Sequence, residues 1–426
     1  MSSSKELQGM DMNDLILVSV DDHAVEPADM FETHFPAHLR DRAPKIGLTA
    51  DGRERWTFQG MELGAAGLNA VASWPKQEWS NDPVGFAEMR PGCYDIHSRI
   101  RDMDANGQIA GMTFPTWVGF AGSHLLAAPD RALSTMVVSA YNDWHLDEWA
   151  GAYPGRILAL PILPMWDVAA SVAEIERVAA KGAKGITFPE TPYAVDLPSF
   201  STDHWDPVLK ALVDHDMVLC LHIGGAFKLL QRPKEYSIDQ HIIMSPQLSA
   251  VAATDLMVGG VFTRFPTLKV AMSEGGIGWI PFLLDRIDLH MRNQTWAGLD
   301  LGGLNGTDLF RRNFLGCFIT NPSSLQLRHR IGIESIAWEC DYPHSDSTWP
   351  RSPEILHAEL EAAGVSDEER HLIGWRNACR FFDFDPFVAI PQEKATVGAL
   401  RAQAADVDVS ETSRAEYRRR YEAAAV

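Results

Sequence analysis

Side chains of metal-binding type follow a buried strand near the start of the chain. Residues 15–20 are apolar or small, which is typical of a strand buried on both faces of a parallel sheet. Asp21 and His23 come directly after these residues, and side chains two positions apart in a strand point to the same side. An oxygen ligand beside a nitrogen ligand makes half of a divalent-metal site. A strand that simply enters a polar turn would give the same sequence, so this stretch alone does not distinguish a metal site from a turn.

Three later strands end in the same kinds of side chain. His222 ends one predicted strand, and two glycines after it leave room beside the ring. Glu274 follows another predicted strand and also precedes two glycines, while Asp341 ends the last strand. Each residue alone could be a core histidine, a helix cap or a turn residue. Four strands that end in ligand types together favour one metal centre.

The last strand carries two further groups. Glu339 lies inside a strand that we expect to be buried, so its carboxylate needs a metal, an arginine or a proton. His344, three residues after Asp341, could carry protons or belong to an ordinary loop. Three other histidines lack such neighbours, and we expect them to pack or to lie at the surface: His145, His204 and His290.

The elements that must position these side chains form a repeating series. Eight predicted strands alternate with helices, which predicts an α/β protein with a parallel sheet closed into a (β/α)8 TIM barrel. The predicted strands span residues 15–23, 109–115, 156–164, 183–189, 217–222, 268–273, 314–320 and 335–341. In such a barrel the carboxyl ends of the strands meet at one face. An open doubly wound sheet is the alternative, but the first strand lacks a GxGxxG turn.

Two segments stand outside the series. Residues 28–95 are rich in proline, glycine, tryptophan and charge, and we expect a long insertion after the first strand, with Trp56 in a small hairpin. Its aromatic residues, Trp56, Trp74 and Trp79, could wall the pocket. Residues 391–426 resemble a helical tail that grips a partner subunit or lies on the surface. We therefore expect a barrel domain over 1–390 and a tail over 391–426.

Composition limits the function classes. The chain has 426 residues, 46% of them hydrophobic, and a formal net charge of -20, which disfavours nucleic acid or an anionic membrane as partner. No apolar stretch is long enough to span a bilayer, and residues 1–6 do not suggest a signal peptide. Five cysteines without CxxC spacing favour buried free thiols, so we expect a cytoplasmic protein.

Several blocks of the sequence resemble one family. Residues 18–27 resemble the opening signature of the amidohydrolase-2 branch of the amidohydrolase superfamily, the branch typified by aminocarboxymuconate-semialdehyde decarboxylase. Later blocks follow in the same order, at residues 221–225, 273–281, 341–347 and 376–378. Each block alone is weakly specific, but their order over residues 15–385 is a strong signal.

The resemblance implies a TIM-type barrel with a divalent metal, often zinc or manganese. It implies that Asp21 and His23 are the first ligands, His222 the ligand from strand five and Asp341 the ligand from strand eight. Glu274 stands where the decarboxylases of this branch usually carry a catalytic histidine, so we count it as a candidate ligand and proton carrier.

The first hypothesis is a metal-dependent enzyme that hydrolyses or non-oxidatively decarboxylates a small carboxylate or carbonyl compound. In it the metal is a Lewis acid, Asp341 accepts a proton, and Glu274 or His344 carries protons. An arginine would clamp the substrate, and three are candidates: Arg90, Arg99 and Arg101.

Two other hypotheses stay open. Glu274, with Glu339 or His344, could hold a second ion in a dinuclear iron or iron–manganese centre that activates oxygen, as the resemblance to aminoisobutyrate hydroxylases implies. Alternatively, the chain could be a metal-binding subunit without catalysis, paired with a related active chain. We expect a homo-oligomer or a hetero-oligomer with such a chain.

Overall fold

The computed structural model describes residues 9–80, 85–230 and 235–424. Residues 1–8, on which the signal-peptide expectation depends, lie outside this description, as do 81–84 of the predicted insertion and 425–426 of the predicted tail. The strands are β1 (Val18–His23), β2 (Lys45–Leu48), β3 (Glu54–Phe58), β4 (Met61–Ala65), β5 (Ala110–Phe114), β6 (Ile157–Ala159), β7 (Gly185–Pro189), β8 (Val218–His222), β9 (Lys269–Ser273), β10 (Phe314–Phe318) and β11 (Ile336–Trp338).

Helices separate most of these strands. They are α1 (Met30–His34), α2 (Ile96–Asn106), α3 (Arg131–Asp143), α4 (Val168–Ala180), α5 (Asp206–Asp214), α6 (Ile238–Met244), α7 (Leu248–Val258), α8 (Val261–Arg264), α9 (Trp279–Asn293), α10 (Gly306–Asn313), α11 (Pro322–Leu325), α12 (Arg328–Ile331), α13 (Ser352–Ala362), α14 (Asp367–His371), α15 (Asn377–Phe382), α16 (Val397–Gln403) and α17 (Arg414–Ala424). Helix α3 is continued by a π-helical segment, Trp144–Ala150.

The parallel strands form two sheets, in the orders β1-β5-β6 and β11-β10-β9-β8-β7. Their facing edges are linked by hydrogen bonds: Thr187 N donates to Pro161 O over 3.0 Å, and Asp341 N donates to Asp21 O over 2.7 Å. Register brings the carboxyl ends of neighbouring strands level, since His222 lies opposite Ser273. The predicted α/β class with parallel strands is confirmed.

Both faces of the parallel strands are buried, which explains their nearly continuous apolar sequences. Every residue of β1 is buried. One apolar cluster includes Val18, Val20, Met112, Val218 and Leu315 and lies on one side of the strands. A larger cluster fills the space between the other side and the helices. The strand ends therefore rest on a packed scaffold, which limits how far their side chains can move.

Local signals set the boundaries of helix α2. Asp95 caps its start by accepting a hydrogen bond from Ser98 N over 2.7 Å. Gly107 ends it with φ of 80°, a left-handed conformation that glycine adopts without a side-chain clash.

The insertion contains an antiparallel sheet, β2-β3-β4, and the predicted hairpin strand around Trp56 is β3. The Trp56 ring stacks on Trp117, with centroids 4.8 Å apart. Helix α17 of the tail covers the insertion of its own chain. There Tyr417 packs with Val71 and Trp74, and arginines of α17 pair with the buried Glu88 carboxylate. The oligomer stays a prediction.

Two expectations about composition can be compared with the structure. All five cysteines are free thiols, and four of them are buried. Among the described helices, none combines the length and the apolar character that a membrane crossing requires.

Candidate metal centre

The carboxyl ends of β1 and β8 bring three of the predicted site residues together. His23 Nε2 lies 3.5 Å from Asp21 Oδ1, and His222 Nε2 lies 3.4 Å from Asp21 Oδ2. The two imidazole Nε2 atoms are 3.2 Å apart. All three side chains are buried, and their ligand-type atoms lie within 4.8 Å of one another.

A second group shares His23 with the first. Asp341 Oδ1, just beyond β11, lies 3.3 Å from His23 Nε2 and 3.0 Å from His344 Nδ1. The rings of His23 and His344 stack with centroids 3.8 Å apart. Asp341 and His344, two of the three candidate residues in and after the last strand, therefore lie where the first strand ends.

Two glutamates complete the cluster. The Glu274 carboxylate lies 3.1 Å from His222 Nε2 and is partly exposed. Glu339 is fully buried, and its Oε1 accepts a hydrogen bond from Glu274 N over 3.1 Å. Its Oε2 has no hydrogen-bond partner among the described residues. A backbone amide thus satisfies one oxygen of the Glu339 carboxylate, whereas the other oxygen still requires a proton or a cation.

The donor atoms of the cluster suit a divalent cation. Both carboxylate oxygens of Asp21 and of Asp341 are buried without a hydrogen-bond partner in the described part of the chain. Such atoms are costly in a protein interior unless a cation or proton faces them. His222 Nδ1 donates to Ile223 O over 2.5 Å, so the lone pair of its Nε2 points into the cluster. Oxygen and imidazole donors in this mixture fit zinc, manganese or iron.

Burial and charge perturb the titration of these groups. Burial, together with the Glu339 carboxylate, raises the pKa of Asp21, and burial with the Asp341 carboxylate raises the pKa of Glu274. Burial lowers the pKa of His222 to about 4. Burial would raise the pKa of Asp341, but the neighbouring imidazoles of His344 and His23 hold that pKa below its usual value. Without a cation the cluster therefore resists full ionisation.

The backbone is unusual at two of these residues. Glu274 has φ of 59° and Asp341 has φ of 61°, the left-handed region that residues other than glycine seldom occupy. The Asp341 amide is held there by its hydrogen bond to Asp21 O. Backbone strain of this kind is concentrated at functional sites, because the surrounding structure must compensate for it.

None of the three candidate arginines lines the cavity beside this cluster. Arg99 is buried and donates to His23 O over 2.6 Å, Arg90 pairs with Asp102 over 2.7 Å, and Arg101 pairs with Asp406. These contacts lie within the protein, whereas Arg99 Nη1 is buried without a hydrogen-bond partner among the described residues, and a substrate clamp from one of the three stays a prediction.

A cavity of about 400 Å³ opens beside the cluster. It is lined by Leu68, Asn69, Gly119, Phe120, Ala121, Ser123, His124, Phe188, Pro189, Val195, His222, Ile223, Gly224, Gly225, Ile238, His241, Ile242, Ser245, Pro246, Glu274, His344, Ser345 and Asp346. The tryptophans expected to wall it lie elsewhere: Trp56 packs between Phe31 and Trp117, and Trp74 and Trp79 pack near Tyr417.

Three residues of this region carried no sequence signal. Phe120 lies with its ring centroid 4.3 Å from that of His222, and His124 lies four residues further along the same loop. Glu190 is buried next to β7 and accepts a hydrogen bond from Ala226 N over 3.1 Å, and burial raises its pKa to about 8. Only their position after the carboxyl ends of β5 and β7 could have indicated them.

His145, His204 and His290 lie outside the cluster. His145 is buried against Thr113, and the His204 ring packs on Trp205. These positions agree with the packing roles expected from the sequence.

Parallel strands with clustered carboxylates and imidazoles at their carboxyl ends define an α/β protein with a candidate metal centre. The amidohydrolase family model matches residues 32–384, which is most of the chain. The chain belongs to the amidohydrolase family.

The chain is also similar to individual proteins, at sequence identities of 27% and below. Gamma-resorcylate decarboxylase of Rhizobium sp. strain MTP-10005 is 27% identical over 344 residues, covering 72% of this chain and 95% of that protein. The crystal structure of an amidohydrolase from Mycobacterium avium subsp. paratuberculosis K-10 is 22% identical, with a TM-score of 0.67, covering 86% of this chain and 99% of that one. Dihydroxybenzoic acid decarboxylase of Polaromonas sp. JS666, solved with bound manganese, is 19% identical, with a TM-score of 0.56, covering 87% and 97%.

Proposed function

We propose that this chain is a metal-dependent enzyme that non-oxidatively decarboxylates, or hydrolyses, a small carboxylate or carbonyl compound. The observation that carries the proposal is the buried convergence of Asp21, His23, His222 and Asp341, with unsatisfied carboxylate oxygens. The similarity to gamma-resorcylate decarboxylase favours decarboxylation over hydrolysis.

The proposal includes a closed barrel. The eight parallel strands would form one (β/α)8 barrel, with the hydrogen bonds Thr187 N to Pro161 O and Asp341 N to Asp21 O supporting closure at the two seams. The resulting face gathers the carboxyl ends of the strands, where enzymes with this fold carry out chemistry.

The proposed metal ligands are Asp21, His23, His222, Asp341 and Glu274, and the metal is manganese or zinc. A bound divalent ion supplies Lewis acidity toward the oxygens of the substrate. The chain itself contributes the orientation of the ligands: Ile223 O fixes the His222 ring, and the Asp21 carbonyl fixes Asp341.

Proton transfer is assigned to residues that reach both the cluster and the cavity. When a carboxylate leaves as carbon dioxide, the carbon that held it must receive a proton. Glu274 and His344 line the cavity, so either can hold a proton beside the substrate. Asp341 is buried 3.0 Å from His344 Nδ1 and can orient that ring or accept a proton from it.

A second candidate function has one specific observation in its favour. Glu339 Oε2 is buried without a hydrogen-bond partner in the described ranges, beside the backbone of Glu274. With Glu274 and His344, it could hold a second ion, and a dinuclear iron or iron–manganese centre would suit oxygen activation.

Metal content separates the two candidates. The protein is purified, stripped with a chelator, reloaded with Mn²⁺ or anaerobically with Fe²⁺, and its metals are counted by mass spectrometry. One ion per chain with carbon dioxide release from 2,6-dihydroxybenzoate or related aromatic acids supports the decarboxylase. Two iron or manganese ions per chain with oxygen consumption support the oxygenase.

A variant tests whether the cluster is catalytic. His222→Ala should lose metal and turnover while retaining its circular dichroism spectrum, because the ring is a ligand and not part of the apolar core. His38→Ala, at an exposed position, is the matched control. Full activity of an assembled complex containing His222→Ala would contradict the proposal and favour a subunit without catalysis.

A further inference from the structure

The loop after β5 forms one wall of the cavity. The Phe120 ring packs with centroids 4.3 Å from His222 and 4.8 Å from His23, and Thr187 Oγ1 donates a hydrogen bond to Phe120 O. The loop is therefore fixed against the metal cluster. His124, four residues after Phe120, lines the same cavity.

One ring nitrogen of His124 has a defined role. His124 Nδ1 lies 2.7 Å from Trp117 O. A carbonyl oxygen only accepts hydrogen bonds, so Nδ1 must carry the hydrogen. In the neutral ring the other nitrogen, Nε2, is then an acceptor. Burial lowers the pKa of His124, which keeps the ring neutral near pH 7.

The accepting nitrogen of His124 is available to a ligand. It has no hydrogen-bond partner within residues 9–80, 85–230 and 235–424. Gly119, with φ of 76°, lies close to this nitrogen. A Cβ at Gly119 would come within 3.2 Å of His124 Nε2, so the missing side chain keeps that nitrogen uncovered. The position therefore combines a fixed ring, an unused acceptor and an open approach.

We infer that His124 selects substrates carrying a neutral hydrogen-bond donor, a hydroxyl or an N–H group, on the part of the molecule away from the metal. This inference rests on the proposed function, because it takes the metal cluster as the place where the carboxylate binds. A carboxylate at His124 would face a lone pair and is disfavoured, whereas an O–H or N–H group is complementary.

The surroundings increase the effect of this contact. Phe188, Ile238 and Ile242 line the same cavity, so a ligand that fills it displaces water from His124. A ligand without a donor would leave Nε2 desolvated and unpaired, which is the costly arrangement for a buried polar atom. One neutral hydrogen bond of this kind corresponds to roughly a threefold to tenfold difference in affinity.

Two substitutions of His124 separate the role of its acceptor atom, Nε2, from the role of its donor atom, Nδ1. His124→Asn can keep a side-chain N–H for Trp117 O but loses the acceptor at the position of Nε2. His124→Gln can place its amide oxygen near the position of Nε2 but loses the bond to Trp117. The pair is therefore matched, because each variant retains one of the two functions.

The test measures binding and not turnover. Mn²⁺-loaded wild type and variants are titrated by calorimetry with 3-hydroxybenzoate and 4-hydroxybenzoate and with their methyl ethers, which lack the donor. We expect wild type to prefer at least one hydroxy acid over its ether by about threefold to tenfold, His124→Asn to lose the preference, and His124→Gln to retain most of it. Equal manganese content in all three proteins shows that the substitutions left the cluster intact.

Several outcomes would overturn the inference. An unchanged preference in His124→Asn would show that another group recognises the hydroxyl. Equal affinities of each acid and its ether for wild type, or no binding by any of the four, would also refute it. Failure of the proposed function has a different signature: hydroxyl preference would persist at His124 while carbon dioxide release from every acid is absent.

Discussion

Replacing Asp21 by asparagine should stabilise the metal-free protein and weaken its metal binding, two effects of opposite sign. Asp21 Oδ1 and Asp341 Oδ1 lie 3.5 Å and 3.3 Å from the same atom, His23 Nε2. These two oxygens are therefore at most about 7 Å apart, so two negative charges on them repel by at least roughly 2 kcal/mol at an effective dielectric constant of about 20. Burial contributes most to this cost, followed by the Glu339 carboxylate, and together with Asp341 they raise the pKa of Asp21.

The stabilisation should appear where the wild-type carboxylates are forced to ionise. A group with a raised folded-state pKa makes the folded state less stable as pH rises above its unfolded value, because the unfolded chain releases the proton more readily. Asparagine cannot ionise, so metal-free Asp21→Asn should melt a few degrees above metal-free wild type at pH 8 to 9. The difference should shrink toward pH 4.

Metal binding should change in the other direction. Loss of groups that merely support ligands costs about 10-fold to 100-fold in affinity, so loss of an anionic ligand should cost at least about 100-fold. At a Mn²⁺ concentration 1,000 times the wild-type dissociation constant, the metal stabilises wild type by about 4 kcal/mol and a 100-fold weaker variant by only about 1.4 kcal/mol.

Differential scanning calorimetry with and without a chelator measures both effects. Asp203→Asn, at an exposed position, is the control and should resemble wild type in each condition. The reasoning is refuted if Asp21→Asn binds Mn²⁺ as tightly as wild type. It is equally refuted if the metal-free variant melts below metal-free wild type at pH 8 to 9.

Three further predictions concern the scaffold. Gly111→Ala should destabilise the protein by about 1–3 kcal/mol, seen as a lower melting temperature, because its Cβ would collide with the Asp22 carboxylate. The raised pKa of Glu190 should make wild type less stable as pH rises from 4.5 to about 8. Glu190→Gln should reduce this loss of stability, as measured by chemical denaturation at several pH values. Tyr417→Ala should cost about 3 kcal/mol of local packing beside Trp74 and speed proteolysis of the tail, whereas unchanged cleavage would contradict the packing argument.

The parallel strands could be predicted because burial on both faces leaves an uninterrupted apolar sequence. The predicted ends of the strands are less accurate where the apolar sequence continues beyond the last backbone hydrogen bond. The predicted strand over 156–164 is hydrogen-bonded as a strand only over Ile157–Ala159, and Pro161 and Pro164 in the remainder cannot donate to a neighbouring strand. Helix α10 begins at a capping signal that is easily read as a loop, since Asn305 accepts a hydrogen bond from Asp308 N.

The cluster was predictable for the same reason as the strands that carry it. A residue at the carboxyl end of a parallel strand has a nearly fixed position, so residue type and spacing are sufficient to place Asp21 beside His23. The walls of the cavity come from loops, whose paths follow no periodicity, and Phe120 and His124 could not be placed. Arginine is ambiguous in another way, since its guanidinium serves a protein carbonyl, as at Arg99, as readily as a substrate.

The hydrogen bond from Asp341 N to Asp21 O also bears on how the chain acquires its ion. Its two residues are separated by roughly 320 positions, which a ribosome covers in about 15 to 65 s at typical elongation rates. A nascent chain that ends before Asp341 lacks one whole side of the cluster. Metal binding by the complete set of ligands should therefore come after nearly complete translation, and C-terminally truncated products should bind the ion more weakly than the full chain.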